Sequence, residues 1–415
     1  MAPQGRKQPA GFRPRDPADA SYSWDWTDSQ VRSAASRGYV PLVYVQTAPQ
    51  WAESDTCGDG VGACRPSPAA FADFMTAAAR RYGGSFRGLP RVRYWQIWNE
   101  PNIAAYLRPQ VDGAHNPLSP DIYRQVVNEA ADAIHAVHPD NRVVAGGLSP
   151  FGTDPPGDYM SPLLFMRKLL CLSEGRPKSV CHKQIRFDIW SHHPYTSGGP
   201  THHANLRDDV SLPDLWRMRA LLDAAIRAGN LRSAGPVPFW VTEFSWDSSP
   251  PDPMGVPETL HARWVAEALY RMWAQGVSLV TWFQLRDQPF TPTSPFQSGL
   301  WLRGSNGIAS DKPKLALTAF RFPFVAFAKP AKSSIMFWGR SPAKRTSVIV
   351  EQEKGGKWNL VDVLRPNANG IFAGRFTSRA RAGSLRARLA NGRDASLPFS
   401  LIVPPDRPGC VWGTC

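Results

Sequence analysis

The sequence predicts an α/β protein built on a parallel sheet and followed by an all-β module. Three observations point there. From residue 39 to about 321, β-like apolar runs alternate with amphipathic helical stretches, the pattern that yields parallel strands with helices packed on them. Beyond Phe322-Pro323-Phe324-Val325 the helical periodicity stops and short strand-like runs between Gly, Asn and Lys/Arg turns take over. The length, 415 residues, accommodates one α/β domain of barrel size, about 250 residues, with a smaller domain of about 100. The expected division is 1–325 and 326–415.

The first clear strand covers 39–45 and runs into Gln46-Thr47-Ala48-Pro49-Gln50-Trp51. A loop bounded by Cys57 and Cys64 leads to a helix that Ser67 caps and Pro68 opens, because Ser accepts from first-turn N–H groups and Pro lacks the N–H that would go unpaired there. Phe71, Phe74, Met75, Ala78, Ala79 and Tyr82 recur at helical spacing, and Gly83-Gly84 stops the helix. A strand over 92–99 ends on Trp98-Asn99-Glu100-Pro101-Asn102, followed by a helix from Ser119-Pro120 through Tyr123, Val126, Val127, Ala130, Ile134 and Val137. Strands at 143–147 and 187–191 come next, the second leaving through His192-His193-Pro194-Tyr195 into a helix over 213–228. A strand over 238–243 ends on Glu243, and the helix over 258–275 carries Leu260, Trp264, Ala268 and Trp273. The strand over 278–283 contains Trp282; a proline-rich loop then runs to about 310, and a closing helix covers 313–321.

In the tail the runs 335–338, 348–352, 358–364, 371–377, 385–389 and 397–403 suggest a β-sandwich. This segment holds 15 Lys/Arg against 5 Asp/Glu, so +10 of the total +14 lies there. Such a surface attracts polyanions, whether cell-wall polymers, acidic glycans or, without specificity, nucleic acid, although a basic run is more often simply a solvated face. No run of about 18 apolar residues exists to cross a membrane. The six cysteines fall in three close pairs, Cys57 with Cys64, Cys171 with Cys181, and Cys410 with Cys415, none at Cys-x-x-Cys spacing. Three local disulfides are expected, and with them a secreted or cell-surface protein. Met1 to Arg15 contains no apolar core of a signal peptide. Phosphate-loop, dinucleotide-binding and serine-hydrolase motifs do not occur.

The chemistry rests on Glu100 and Glu243, which end two strands about 140 residues apart. Sites in parallel barrels gather at the carboxyl ends of strands, and two-residue periodicity puts Phe239, Val241 and Glu243 on one face. Paired carboxylates cleave glycosidic bonds because the departing oxygen needs a proton while the anomeric carbon needs an opposing carboxylate or an activated water. A lone Glu more often just ends a strand or caps a helix. The full string Trp98-Asn99-Glu100-Pro101-Asn102 shifts that balance.

With that string, the chain resembles clan A of the retaining glycoside hydrolases, and its wording is most similar to the family-39 xylosidase and iduronidase group, with family 5 a near relative. The resemblance implies a (β/α)8 barrel in which Glu100 is the general acid/base and Glu243 the nucleophile. It assigns Asn99 to the sugar 2-hydroxyl, Tyr195 to Glu243, His193 to the sugar site, and Trp282 to an aromatic platform under the reacting sugar, with Trp51 extending the cleft. It also implies a β-linked carbohydrate substrate and no metal or organic cofactor. The first clear strand would then be strand three, so the barrel lacks its first two strands, along with the Arg that strand two contributes near the nucleophile. Two other readings compete: a carbohydrate-binding protein on a degenerate barrel, and a metal site formed by His192, His193, His202 and His203. Against the metal site stand the Gly-Pro loop between those histidines and the lack of helical His-x-x-x-His spacing.

Overall fold

The computed structural model describes residues 2–54, 62–233, 235–291, 296–329, 331 and 333–404. The chain divides into two compact units, Met1–Pro194 with Ala204–Thr242, and Tyr195–His203 with Glu243–Cys415.

In the first unit β1 (Leu42–Val45), β2 (Tyr94–Ile97), β3 (Arg142–Leu148), β4 (Ile189–His192) and β5 (Phe239–Val241) pair in that order, all parallel. Helix α1 (Asp25–Ser36) precedes β1, while α2 (Pro68–Arg81), α3 (Ser119–Val137), α4 (Pro162–Leu169) and α5 (Leu215–Arg227) each cross from one strand to the next. Parallel pairing requires such crossovers. Trp95, Ile97, Val143, Val144, Trp190, Phe239 and Val241 are buried, as expected of a sheet covered on both faces. The cap of α2 is as the sequence predicts, with Ser67 Oγ accepting from Ala70 N at 3.3 Å and Pro68 in the first turn.

The strands are shorter than the apolar runs suggest. Tyr39 and Val40 stand 68% and 71% exposed and lie outside β1, so their apolar character is not a core signal. Two helices escape the sequence reading. Helix α4 has only 8 residues, too few for the 3.6-residue period to show, and α1 buries only Val31 along its length. What ties α1 down is polar: Arg81, at the end of α2, pairs with Asp28, and the Tyr82 hydroxyl donates to the same carboxylate at 2.9 Å.

The second unit contains α6 (Glu258–Ala274), β6 (Val277–Val280) and α7 (Leu315–Arg321), and after α7, among the described residues, seven strands. These are β7 (Phe324–Lys329), β8 (Ser334–Arg340), β9 (Val348–Lys354), β10 (Lys357–Leu364), β11 (Ile371–Thr377), β12 (Ser384–Leu389) and β13 (Phe399–Ser400). They form two antiparallel sheets, ordered β7-β8-β11 and β10-β9-β12-β13. Ile335, Phe337, Val350 and Leu385 from the sheets share one apolar cluster with Ala262 and Val265 of α6 and Ala316 of α7. Residue 326, the expected domain boundary, lies within β7 and within that cluster.

Cys171 and Cys181 form a disulfide with Cα atoms 5.4 Å apart. Cys57, Cys410 and Cys415 lie outside the described residues, so their expected pairings do too. Among the described residues, no helix is long and apolar enough to cross a membrane.

Candidate active site

Strand β2 delivers Trp98-Asn99-Glu100 to the carboxyl end of the sheet, where the backbone leaves strand geometry. Trp98 and Glu100 adopt φ of 69° and 41°. For residues with a Cβ this left-handed region costs roughly 1–3 kcal/mol each, so the surroundings must hold it. Trp98 N donates to Val45 O at 2.8 Å, Glu100 N to Gly147 O at 3.0 Å, and Ile103 N to Glu100 O at 2.9 Å. The buried Trp98 indole donates to Tyr106 O at 2.7 Å. The Asn102 amide donates to Ser149 O and Met160 O at 3.1 and 2.9 Å, and accepts from Ser149 N at 2.9 Å. Within Trp-Asn-Glu-Pro-Asn, therefore, the outer residues lock the turn and the inner pair is presented by it. Asn99 sits part-buried between the two strained positions.

The neighbouring strand is shaped to fit. The Tyr123 hydroxyl, from α3, donates to Ile97 O at 2.7 Å and accepts from Gly146 N at 2.9 Å, joining the exits of β2 and β3. The register of β3 against β4 slips between Gly146 and Leu148. Gly147 sits at φ +59°, and a Cβ there would lie 2.9 Å from Gln96 Nε2 and 3.4 Å from His193 Nε2. The positive φ is what favours glycine there, and a Cβ would press on the Gln96 amide while meeting the His193 ring at ordinary contact distance.

His193 is buried just past β4, its backbone N donating to Leu148 O at 3.0 Å. Nδ1 lies 3.1 Å from Glu100 Oε1, and Nε2 lies 3.3 Å from Thr242 Oγ1. An ionised carboxylate only accepts, so in the neutral ring Nδ1 donates to Glu100 and Nε2 accepts from the Thr242 hydroxyl.

Glu243 follows Thr242 in the chain and belongs to the second unit. The buried Tyr195 hydroxyl donates to Glu243 Oε1 at 2.7 Å, the partnership the resemblance implies. Beside Glu243, Phe244 meets Trp246 and Trp282 edge-on at 4.7 and 6.0 Å between ring centroids. Trp282 stands two residues past the end of β6, its indole donating to Ser298 O at 2.7 Å, and Phe283 N donates to Phe244 O at 3.1 Å. Trp282 is thus fixed in the same aromatic group as the residue after Glu243.

The structure thus brings Glu100 together with His193, and Glu243 with Tyr195. Trp51 is engaged elsewhere. Its indole donates to Pro3 O at 2.9 Å and its ring meets Phe12 edge-on, so the N-terminal segment lies against it. His192, of the competing metal reading, has Nε2 paired with Val210 O at 2.9 Å, and burial pushes its imidazole down to about 3. Thr242, Tyr123 and Gly147 were not singled out from the sequence. The Gly146-Gly147 pair at a strand exit was a visible signal, whereas Thr242 and Tyr123 acquire meaning only through partners distant in the chain.

No protein-family model matches the sequence, and no curated protein does. Several solved structures are similar to it. A bacterial orthologue of human α-L-iduronidase is 11% identical, with 86% of this chain and 71% of that one covered and a TM-score of 0.45. A Paenibacillus polymyxa xyloglucanase from glycoside hydrolase family 44 is 9% identical, covering 88% and 83%, with a TM-score of 0.39. A Cellulomonas fimi endo-β-1,4-mannanase double mutant is 15% identical, covering 92% and 82%, with a TM-score of 0.38.

Proposed function

We propose that this protein is a retaining glycoside hydrolase acting on a β-linked oligo- or polysaccharide, with Glu100 as acid/base and Glu243 as nucleophile. The observation that carries the reading is the bonding of His193. It joins the Glu100 carboxylate to Thr242, the chain neighbour of Glu243, while Tyr195, two residues after His193, donates to Glu243 itself. Each glutamate thus has a buried partner from the same His-Pro-Tyr turn.

In the first half-reaction Glu100, as the acid, gives its proton to the departing sugar oxygen as Glu243 attacks the anomeric carbon, forming a glycosyl-enzyme ester. In the second, Glu100, now a carboxylate, takes a proton from water as the water's oxygen displaces Glu243 and releases the sugar. Tyr195 fixes the rotation of the Glu243 carboxylate and His193 that of Glu100. Asn99 is placed for the 2-hydroxyl by its position in the motif, and Trp282 for the apolar face of the sugar ring.

On this reading β1 to β5 are strands three to seven, and β6 strand eight, of a (β/α)8 barrel without its first two strands. Among the described residues β1 pairs with β2 alone, and Tyr39, Val40 and Tyr44 beside it are exposed. Along Gly276–Val280 runs a cleft of about 650 Å³ walled by Trp273, Phe320 and Trp338. A sheet edge with exposed apolar residues beside it is what a missing neighbouring strand would leave. The Cys171–Cys181 disulfide supports a secreted or cell-surface location. The family-39 wording of the motif favours that group within the clan.

The test is hydrolysis of a panel of aryl β-glycosides, followed by NMR of the product before mutarotation. A β-configured first product supports the proposal, and an α product overturns retention. Saturable sugar binding without turnover assigns the chain to the non-catalytic class.

A further inference from the structure

The Lys314 ammonium is 3% exposed and meets three acceptors, Asp287 Oδ1 at 2.7 Å, Ser248 Oγ at 2.8 Å and Gln297 O at 3.1 Å. Asp287 is fully buried, and its Oδ1 also accepts from Gly299 N at 2.8 Å. There is no slack at that contact, since a Cβ on Gly299 would lie 2.2 Å from Asp287 N. A buried ion pair is weak evidence of stability in itself, because removing two charges from water offsets their attraction. Its place in the fold is the informative part.

Ser248 lies on the loop that follows Glu243, whereas Asp287 and Gln297 lie on the loop that follows Trp282. A second set of bonds runs between these loops: Ser248 N donates to Gln297 O at 3.2 Å and Gln297 N to Asp247 Oδ1 at 2.9 Å. The next residue, Ser298, accepts the Trp282 indole on its carbonyl and donates its hydroxyl to Phe283 O. From Lys314 to Trp282, then, runs an unbroken chain of short bonds through Gln297 and Ser298. Neither Lys314 nor Asp287 belongs to the motif that supplies the catalytic pair.

We propose that Lys314 and Asp287 are positioning residues that clamp the loop after the nucleophile to the loop after the aromatic platform and so set how Trp282 meets the sugar. This rests on the glycosidase reading for its functional half and on the hydrogen bonds alone for its structural half.

The experiment uses the full chain carrying Asp287→Leu with Lys314→Met. The double substitution removes both charges at similar volume, whereas either alone strands its partner and threatens folding. Hydrogen exchange and aryl β-glycoside kinetics are measured on the same preparation. The clamp predicts at least tenfold faster exchange at Ser248, Gln297 and Gly299, with α2 and α3 protected as in the wild type. It also predicts a KM raised about tenfold or more, a change that a mere loss of folded enzyme would not produce because that lowers apparent kcat alone. Unchanged exchange at those amides overturns the clamp, and faster exchange with unchanged KM overturns its role at the sugar. If the wild-type protein hydrolyses no glycoside, the glycosidase reading fails, and KM is replaced by the affinity for the sugar that quenches Trp fluorescence most. An unchanged affinity, or no quenching by any sugar, then overturns that role just as an unchanged KM would.

Discussion

His193 Nδ1 stands 3.1 Å from Glu100 Oε1 while the opposite ring nitrogen meets the Thr242 hydroxyl at 3.3 Å. A buried imidazole held at both nitrogens has one orientation, and it transmits that orientation to the carboxylate. His193→Ala should lower kcat/KM for aryl β-glycosides by roughly 10²-fold, by leaving the part-buried Glu100 carboxylate without its His193 donor. Thr242→Val retains the ring and removes the hydroxyl that meets its Nε2, so a loss of about tenfold or less is expected. Equal losses in the two variants would show that His193 matters for packing rather than for Glu100.

The two glutamates should separate by leaving-group dependence. Glu243→Ala removes the nucleophile and should abolish turnover of every substrate. Glu100→Ala should cost about 10²- to 10⁴-fold on substrates with basic leaving groups and far less on dinitrophenyl glycosides, which depart without a proton. Azide should restore product formation in both, with opposite anomeric configuration. The carboxyl groups of a retaining pair stand about 5–5.5 Å apart, which an experimental structure with a bound inhibitor can measure. A separation beyond about 6.5 Å would indicate inversion.

Much of this was legible in the sequence because it depends on local spacing. The strand–helix alternation and the Ser67-Pro68 helix start both appear in the structure, whereas the contact of Tyr195 with Glu243, 48 residues apart, was reached only through the resemblance. What stayed hidden depends on partners distant in the chain. Asp28 anchors α1 through Arg81, 53 residues away, and Tyr123 reads as an ordinary core position of α3 although its hydroxyl joins two strand exits. Trp51 shows the converse: the resemblance has it extend the sugar cleft, while its part-buried ring meets Phe12 edge-on and its indole donates to Pro3 O. The motif itself divides unexpectedly, because Trp98 and Asn102 serve the backbone and only Asn99 and Glu100 remain for chemistry.

The share of stability held by Asp209 and Asp247 should fall as pH rises through the mildly acidic range, against the opposite trend of the buried His192 and His261, whose imidazoles burial pushes down to about 3. Burial pushes the Asp209 and Asp247 carboxyls up to about 6 from an ordinary 3.8. Between roughly pH 4 and 6 the folded chain keeps protons that the unfolded chain has released, so stability present below that window is lost across it. A rise of about two pK units corresponds to at most ~3 kcal/mol per group. Asp209→Asn should remove that group's share, raising the melting temperature at pH 7 relative to that at pH 4.5 by comparison with the wild type. If the slope is unchanged in this variant, the effect does not originate at Asp209.

The Cys171–Cys181 disulfide closes a loop with a sequence separation of 10. Loop-closure entropy at that length gives roughly 2–3 kcal/mol, so Cys171→Ser with Cys181→Ser should lower the melting temperature measurably under non-reducing conditions. Peptide mapping without reductant should recover this bridge, and also Cys57 with Cys64 and Cys410 with Cys415. Free thiols at all six positions would remove the argument for an oxidising compartment.

The basic tail should act as an anionic-polymer tether, but not through all of its cations. Glu351 holds Arg386 and Arg388 at 2.9 Å each, and Arg386 lies 4.2 Å over the Trp358 ring, so these two arginines are already engaged. Lys344, Arg345 and Arg365 are exposed on the loops that enter β9 and leave β10, and among the described residues none of them is bonded to a carboxylate. Exposed charges act across a Debye length of about 8 Å at physiological salt, so retention on an anionic polysaccharide should fall steeply as salt rises while hydrolysis of a small neutral glycoside stays nearly constant. Charge reversal at Lys344, Arg345 and Arg365 should reduce retention several-fold at low salt. Arg386→Gln with Arg388→Gln should reduce it less and destabilise the fold more, because it leaves the buried Glu351 without a counter-charge. Retention that survives high salt, or that depends equally on both sets, would mean that the tail does not bind through its free cations.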